Sequence, residues 1–153
     1  MPSESSVVDA VVKELFIGGK WTAASGGKTF PVHDPSTGKA LCQIADASPE
    51  DGMAALDAAA AAQDAWANHP PRERGEILRR GYEALTARVD ELALLMTLEM
   101  GKPLAEARGE IAYAAEFFRW FAEEAVRIDG GYATAPNGAG RFLIAKQPVG
   151  PSL

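Results

Sequence analysis

One cysteine, two histidines and a scatter of carboxylates are the side chains that could do chemistry in this 153-residue chain. A catalytic thiol needs a base beside it, or a partly open electropositive setting, to raise its thiolate fraction. Cys42 stands between Leu41 and Gln43 in an expected strand, with His33 and His69 as the only imidazoles that could serve it. It therefore reads as a structural residue. The histidines and acids show no Cys-x-x-Cys or His-x-x-x-His spacing, so no metal centre of that type is expected. Two glycine-bearing stretches could cradle phosphate, and both fall short. Gly27-Lys28-Thr29 lacks the earlier glycine of a phosphate-binding loop, Thr22 occupying that position. Gly138-Ala139-Gly140 has Leu143 where the third glycine of a dinucleotide fingerprint belongs, and it precedes a strand rather than a helix. Both read as turns. By spacing alone, no catalytic constellation stands out.

The elements that would position these residues change character at Ser48. Before it, the first 45 residues read as extended structure with turns. Leu15-Phe16-Ile17 and Lys20-Trp21 flank Gly18-Gly19, and Lys28–Val32 and Lys39–Ile44 flank the turn Asp34-Pro35-Ser36-Thr37-Gly38. From Ser48-Pro49-Glu50-Asp51, a cap followed by a proline and acids, the pattern is helical to about Trp66, with Met53, Leu56, Ala60 and Gln63 or Ala67 on the expected apolar stripe. His69-Pro70-Pro71 breaks this helix. A second runs from about Arg72 to Val89 with Leu78, Tyr82, Leu85 and Val89 inward, and a third is capped by Asp90 and closed by Gly101 and Pro103. A fourth, about Leu104 to Arg127, should bury Ile111, Ala115, Phe118 and Ala122 while Glu106, Glu110, Glu116 and Glu123 face water. A hairpin with Pro136-Asn137-Gly138 at its turn follows. The expected fold is predominantly α-helical, with short N-terminal strands and a C-terminal β-hairpin. Such an order offers no sheet on which four amphipathic helices could bury their faces, and an apolar segment opens at Gln147–Leu153. Both features suggest an incomplete unit.

Hydrophobic residues are 47% of the chain and charged residues 24%, the balance of a globular protein, and the formal charge is −6. A nucleic-acid or anionic-membrane partner is therefore not expected, because either requires a basic patch. Met1 to Val12 contain Glu4 and Asp9 and no basic stretch, which does not suit a secretory signal, and no apolar run approaches a membrane span. A cytoplasmic setting is the expectation.

Several segments, taken in order, resemble the aldehyde dehydrogenase family. They are Leu15-Phe16-Ile17-Gly18-Gly19-Lys20-Trp21, the turn Phe30-Pro31-Val32-His33-Asp34-Pro35-Ser36-Thr37-Gly38, and Trp66 followed by Arg72, Arg74, Ile77 and Leu78. The turn departs from the family pattern in having Asp34 where an asparagine is usual. The most specific segment is Leu98-Glu99-Met100-Gly101-Lys102-Pro103-Leu104-Ala105-Glu106-Ala107-Arg108-Gly109-Glu110-Ile111. Its continuation from Ala114 to Ala125 is most like the succinate-semialdehyde branch, and Lys146-Gln147-Pro148-Val149-Gly150 resembles the approach to the first cofactor-contacting strand.

The resemblance implies an α/β fold in the parent protein. Within it, residues 15–128 form the N-terminal part of the NAD(P) domain, 129–147 a hairpin of the oligomerisation domain, and 148–153 the start of a return into the cofactor domain, after a leader over 1–14. It also implies oxidation of an aldehyde, with succinate semialdehyde the expected substrate and NAD or NADP as oxidant. A cysteine thiolate, a glutamate base and an oxyanion-holding asparagine would do the work. None has a matching position in this chain. The asparagine is expected in a Pro-Trp-Asn stretch just past Leu153, and Cys42 does not match the nucleophile. The chain is thus expected to contribute no catalytic, cofactor-binding or metal residue and to be inactive alone, supplying scaffold and homo-oligomerisation elements. Residues 109–113 would line the substrate tunnel in many members, although Tyr113 reads first as a packing residue. Glu99 with carbonyls near Val32 would hold a monovalent cation in some. The alternative is a free-standing, non-catalytic helical interaction protein derived from such an enzyme.

Overall fold

A computed structural model describes residues 2–152, so Met1 and Leu153, the outer ends of the expected leader and return segments, lie outside the described residues. Among the described residues the chain forms five α-helices and three separate two-stranded antiparallel ribbons. The predominantly helical character expected from the sequence is what the structure shows.

The N-terminal stretch needs correcting, because it is not wholly extended. Residues Glu4–Ala10 form a short helix, α1, whose first turn is capped by the Ser3 hydroxyl accepting from the Ser6 amide at 3.2 Å. Lys13 Nζ donates to the Val8 and Asp9 carbonyls at its far end. The helix survives its shortness because Val7, 2% exposed, inserts where α1 meets α4. Strands β1 (Leu15–Ile17) and β2 (Lys20–Thr22) pair across Gly18-Gly19, both at positive φ. Strands β3 (Thr29–His33) and β4 (Ala40–Ala45) pair with a bulge after Val32.

The helices α2 (Pro49–Ala67), α3 (Pro71–Ala87), α4 (Val89–Met100) and α5 (Leu104–Glu124) follow the expected segments, except that Val89, expected in the second of them, opens the third. Between α2 and α3, the Arg74 guanidinium reaches back to the carbonyls of Ala67 and His69, so the Pro-Pro break is also a hydrogen-bonded corner. Asp90 does not cap α4. It lies inside the first turn, and Arg88 stands at the cap position with its guanidinium on Glu91 rather than on the helix backbone. The packed centre is helix on helix, with α3 and α4 both against α5. Apart from Leu98, its buried residues are small: Gly75, Ala93, Ala107, Ala115 and Ala125 let the backbones approach closely.

Faces are less legible in the sequence than elements. Met53, on the expected apolar stripe of α2, is 57% exposed, and Phe118 is half exposed although its ring covers Gly81. Ala115 is buried as expected. Glu110 does not simply face water, because it pairs with Lys102. Strands β5 (Gly131–Thr134) and β6 (Arg141–Ile144) form the expected hairpin, and residues 145–152 carry no regular element. No helix among the described residues is long and apolar enough to cross a membrane.

Candidate functional site

Two buried carboxylates organise the loops that the helices carry. Asp51, third residue of α2, closes a capping box with Ser48: its Oδ2 accepts from the Ser48 amide at 2.8 Å while the Ser48 hydroxyl accepts from its own amide. The same carboxylate takes the Ser25 hydroxyl at 2.6 Å and the Ser25 amide at 3.0 Å, tying the Ser25–Gly27 turn to the start of the helix. The Ser25 hydroxyl foremost, with the Ser48 and Ser25 amides, lowers the Asp51 pKa from 3.8 to about 2. The Ser48 cap is legible in the sequence, and the reciprocal bond from Asp51 is added by the structure. Nothing local could reveal a partner 26 residues away.

Asp34 plays a similar part in the turn between β3 and β4. Its two oxygens accept from the Ser36 amide and the Thr37 hydroxyl, each at 2.8 Å, and these bonds, the Thr37 one first, hold its pKa below the ordinary value. Both carboxylate oxygens are used as acceptors, which gives Asp34 a physical role where the family pattern has asparagine. The turn sits against the end of α4. Gly101 closes that helix at φ 78°, and a Cβ there would lie 3.1 Å from Pro35 Cγ. Two of the most specific sequence segments thus meet in space.

Because the folded pKa of Asp51 lies below its unfolded value, the native state binds fewer protons and stability rises with pH. That contribution is complete above about pH 3.8 and is lost as pH falls toward about 2. Asp51→Asn is expected to lower the denaturant midpoint at neutral pH and to flatten its decline through this acid window. Parallel midpoint-versus-pH curves for the two proteins would show that the Asp51 cluster does not carry the effect.

Beside the Asp34 turn, a mainly apolar cavity of about 260 Å³ opens between residues 8–15, the β3–β4 ribbon and α4. Val32, Cys42 and Glu99 share its lining with Leu15, Ile44 and Leu95. Val32 and Glu99, joined in the sequence by the cation expectation, thus both line this cavity. Among the described residues no group of three His, Cys, Asp or Glu could hold a metal ion. Cys42 pairs in register with Val32 and has no histidine beside it. His33 is exposed at the bulge, while His69 stacks on Trp66 and pairs with Glu73 at 3.0 Å. Neither imidazole is hydrogen-bonded to the thiol, and the carboxylate that shares its cavity is Glu99.

The two glycine stretches take their expected places as turns. Gly26 and Gly27, at φ 81° and 67°, lead into β3, and Gly138 lies in the hairpin loop. Neither opens a helix whose N-terminal amides could meet a pyrophosphate. A dinucleotide does not fit these turns.

The remaining feature is an aromatic face on α5. Tyr113, Phe117, Trp120 and Phe121 line an open hollow, Tyr113 and Phe117 meeting edge to face at 5.0 Å. Tyr113 is 67% and Trp120 64% exposed, so Tyr113 is not packed into the core of this chain, contrary to the packing role expected of it. The spacing 113, 117, 120 is a signal for one helical face, and it is masked by the Ile111–Ala115–Phe118–Ala122 face beside it.

Comparison with known proteins places this geometry. Residues 21–153 match the aldehyde dehydrogenase family. The chain is 59% identical over 113 residues to a succinate-semialdehyde dehydrogenase of Paenarthrobacter nicotinovorans, covering 74% of this chain and 25% of that protein. It is 42% identical over 138 residues to a glutarate-semialdehyde dehydrogenase of Pseudomonas putida, covering 90% and 29%. The crystal structure of succinate-semialdehyde dehydrogenase from Burkholderia pseudomallei superposes with a TM-score of 0.86 at 42% identity, over 95% of this chain and 30% of that one. The chain thus spans between a quarter and a third of the length of these relatives.

Proposed function

Because this chain belongs to the aldehyde dehydrogenase family, we propose that it is the N-terminal scaffold of an enzyme that oxidises succinate semialdehyde to its carboxylate with NAD or NADP. The observation that carries this reading is the 59% identity to a succinate-semialdehyde dehydrogenase over 74% of the chain. The glutarate-semialdehyde relative supports the broader class, a short aldehyde bearing a distal carboxylate. In this reading the Gly101-Lys102-Pro103 junction and the Asp34 turn position α5 against the rest of the enzyme, and the β5–β6 hairpin serves homo-oligomerisation. Residues near Gly109–Tyr113 face the substrate path, and the work is done in the cytoplasm. Hydride acceptance is the chemistry that the nicotinamide supplies. In this reading the described residues contribute architecture, and the nucleophilic thiol and the base belong to the rest of the enzyme.

The exposed aromatic face of α5 also suits a second reading, a non-catalytic helical interaction protein derived from such an enzyme. Turnover separates the two. The 153-residue chain, and the longest open reading frame that contains it, are assayed with succinate and glutarate semialdehydes and with NAD and NADP. The expected result is no reduction by the chain alone and robust reduction by a longer polypeptide carrying Pro-Trp-Asn shortly after position 153. Turnover by the 153-residue chain would overturn its role as an inactive scaffold. A frame that ends at Leu153 would favour the interaction protein.

A further inference from the structure

We propose that Asn137 is a site of spontaneous covalent modification, in which ring closure on the Gly138 amide nitrogen expels ammonia and leaves aspartate or isoaspartate at the tip of the β5–β6 hairpin. The chain has two asparagines, and they differ in the residue that follows and in the bond that the side chain makes. Asn137 is exposed within a β-turn in which the Gly138 amide donates to the Ala135 carbonyl at 2.8 Å. Its side-chain Oδ1 accepts from the Ala139 amide at 3.0 Å. That bond polarises the Cγ carbonyl and donates to the oxygen on which negative charge builds when a nucleophile adds, the logic of an oxyanion hole. The attacking nitrogen belongs to a glycine, and apart from its two chain neighbours no residue comes within 4 Å of the position a Cβ would take there, so no distant part of the fold crowds the turn. The turn is a surface loop, where opening the Gly138–Ala135 bond lets water replace it.

Asn68 is exposed as well, and the His69 amide after it donates to the Trp66 carbonyl at 3.2 Å, but its side chain and the residue that follows it differ. It ends α2 with helical dihedrals, its Nδ2 donates to the Asp64 carbonyl at 2.8 Å, and the next residue is His69, whose ring stacks on Trp66.

The step balances without an oxidant or cofactor. The Gly138 nitrogen loses its proton to solvent and bonds to Asn137 Cγ. The Cγ–Nδ2 bond breaks, and Nδ2 leaves as ammonia with a proton from water. Water then opens the five-membered imide at either carbonyl. Opening at the side-chain carbonyl gives aspartate. Opening at the backbone carbonyl gives isoaspartate, which routes the main chain through an extra methylene. Either product adds a negative charge, and isoaspartate also alters the loop that sets Thr134 opposite Arg141.

The test ages the folded 153-residue chain at mildly alkaline pH and follows the peptides containing each asparagine by mass spectrometry, with enzymatic methylation to detect isoaspartate. The expected result is conversion at Asn137 at least about tenfold faster than at Asn68, a barrier difference of about 1.4 kcal/mol. A smaller ratio overturns the proposal. Gly138→Ala is expected to retain the Asn137 amide over the same interval, and equally fast conversion in that variant would overturn ring closure at the Gly138 nitrogen.

Discussion

Gly75→Ala is expected to destabilise the chain by about 1–3 kcal/mol, the cost of forcing an extra carbon into a packed core. A Cβ at Gly75 would stand 2.7 Å from the Ala122 carbonyl oxygen. That oxygen is main chain in α5, so it cannot swing aside as a side chain could, and α3 and α5 would have to separate. Gly52 and Gly109 are also helical, yet nothing lies within 4 Å of where a Cβ would stand on either. Alanine there should stabilise by up to about 1 kcal/mol, because it removes backbone freedom from the unfolded chain and adds no clash. Denaturant midpoints of the three variants check this directly. If Gly75→Ala proves neutral, the close approach of α3 to α5 is not the contact that the packing requires. Gly81 is a gentler case, because the obstacle 2.9 Å away is the Phe118 ring, which can turn.

Concentration-dependent self-association is the second large effect expected. Trp120 on α5 and Leu143 on the hairpin are 64% and 82% exposed, and the ribbon edges beside Leu143 pair with no other strand among the described residues. Large exposed apolar side chains and open strand edges each favour burial against another chain. Trp120→Lys and Leu143→Lys are each expected to weaken association about ten- to a hundredfold, from roughly 1.5–3 kcal/mol of apolar burial per side chain. Sedimentation velocity over a concentration series measures this. A wild-type chain that stays monomeric at the highest concentration would refute the expectation, and the two variants identify which surface is used.

How far the sequence could be read depended on whether the deciding partner was near in the chain. The Ser48–Asp51 start of α2, the Gly101 end of α4 and the Asn137-Gly138 turn are local devices, visible in a few residues and found where expected. The helix at Glu4–Ala10 escapes a pattern-based reading because seven residues carry too little periodicity, although Ser3 followed by Glu4 is a usable start signal. Burial is less legible still. The alanine-rich α2 has small apolar residues all round, so pattern leaves undetermined the side on which Met53 lies, and in the structure Met53 is exposed. The Asp51–Ser25 tie shows the same limit in a polar setting, since a carboxylate explained by one local partner gives no sign of a second.

The three ribbons never join into a sheet, and this bears on what any bulk measurement of the chain can detect. Cooperativity comes from elements that share buried contacts, and here those are α3, α4 and α5. A melting curve followed by helical circular dichroism therefore reports on the helices, the three-helix body together with α1 and α2, and not on the ribbons. The β5–β6 hairpin can fray, rearrange chemically or dock on another chain while the curve stays where it was.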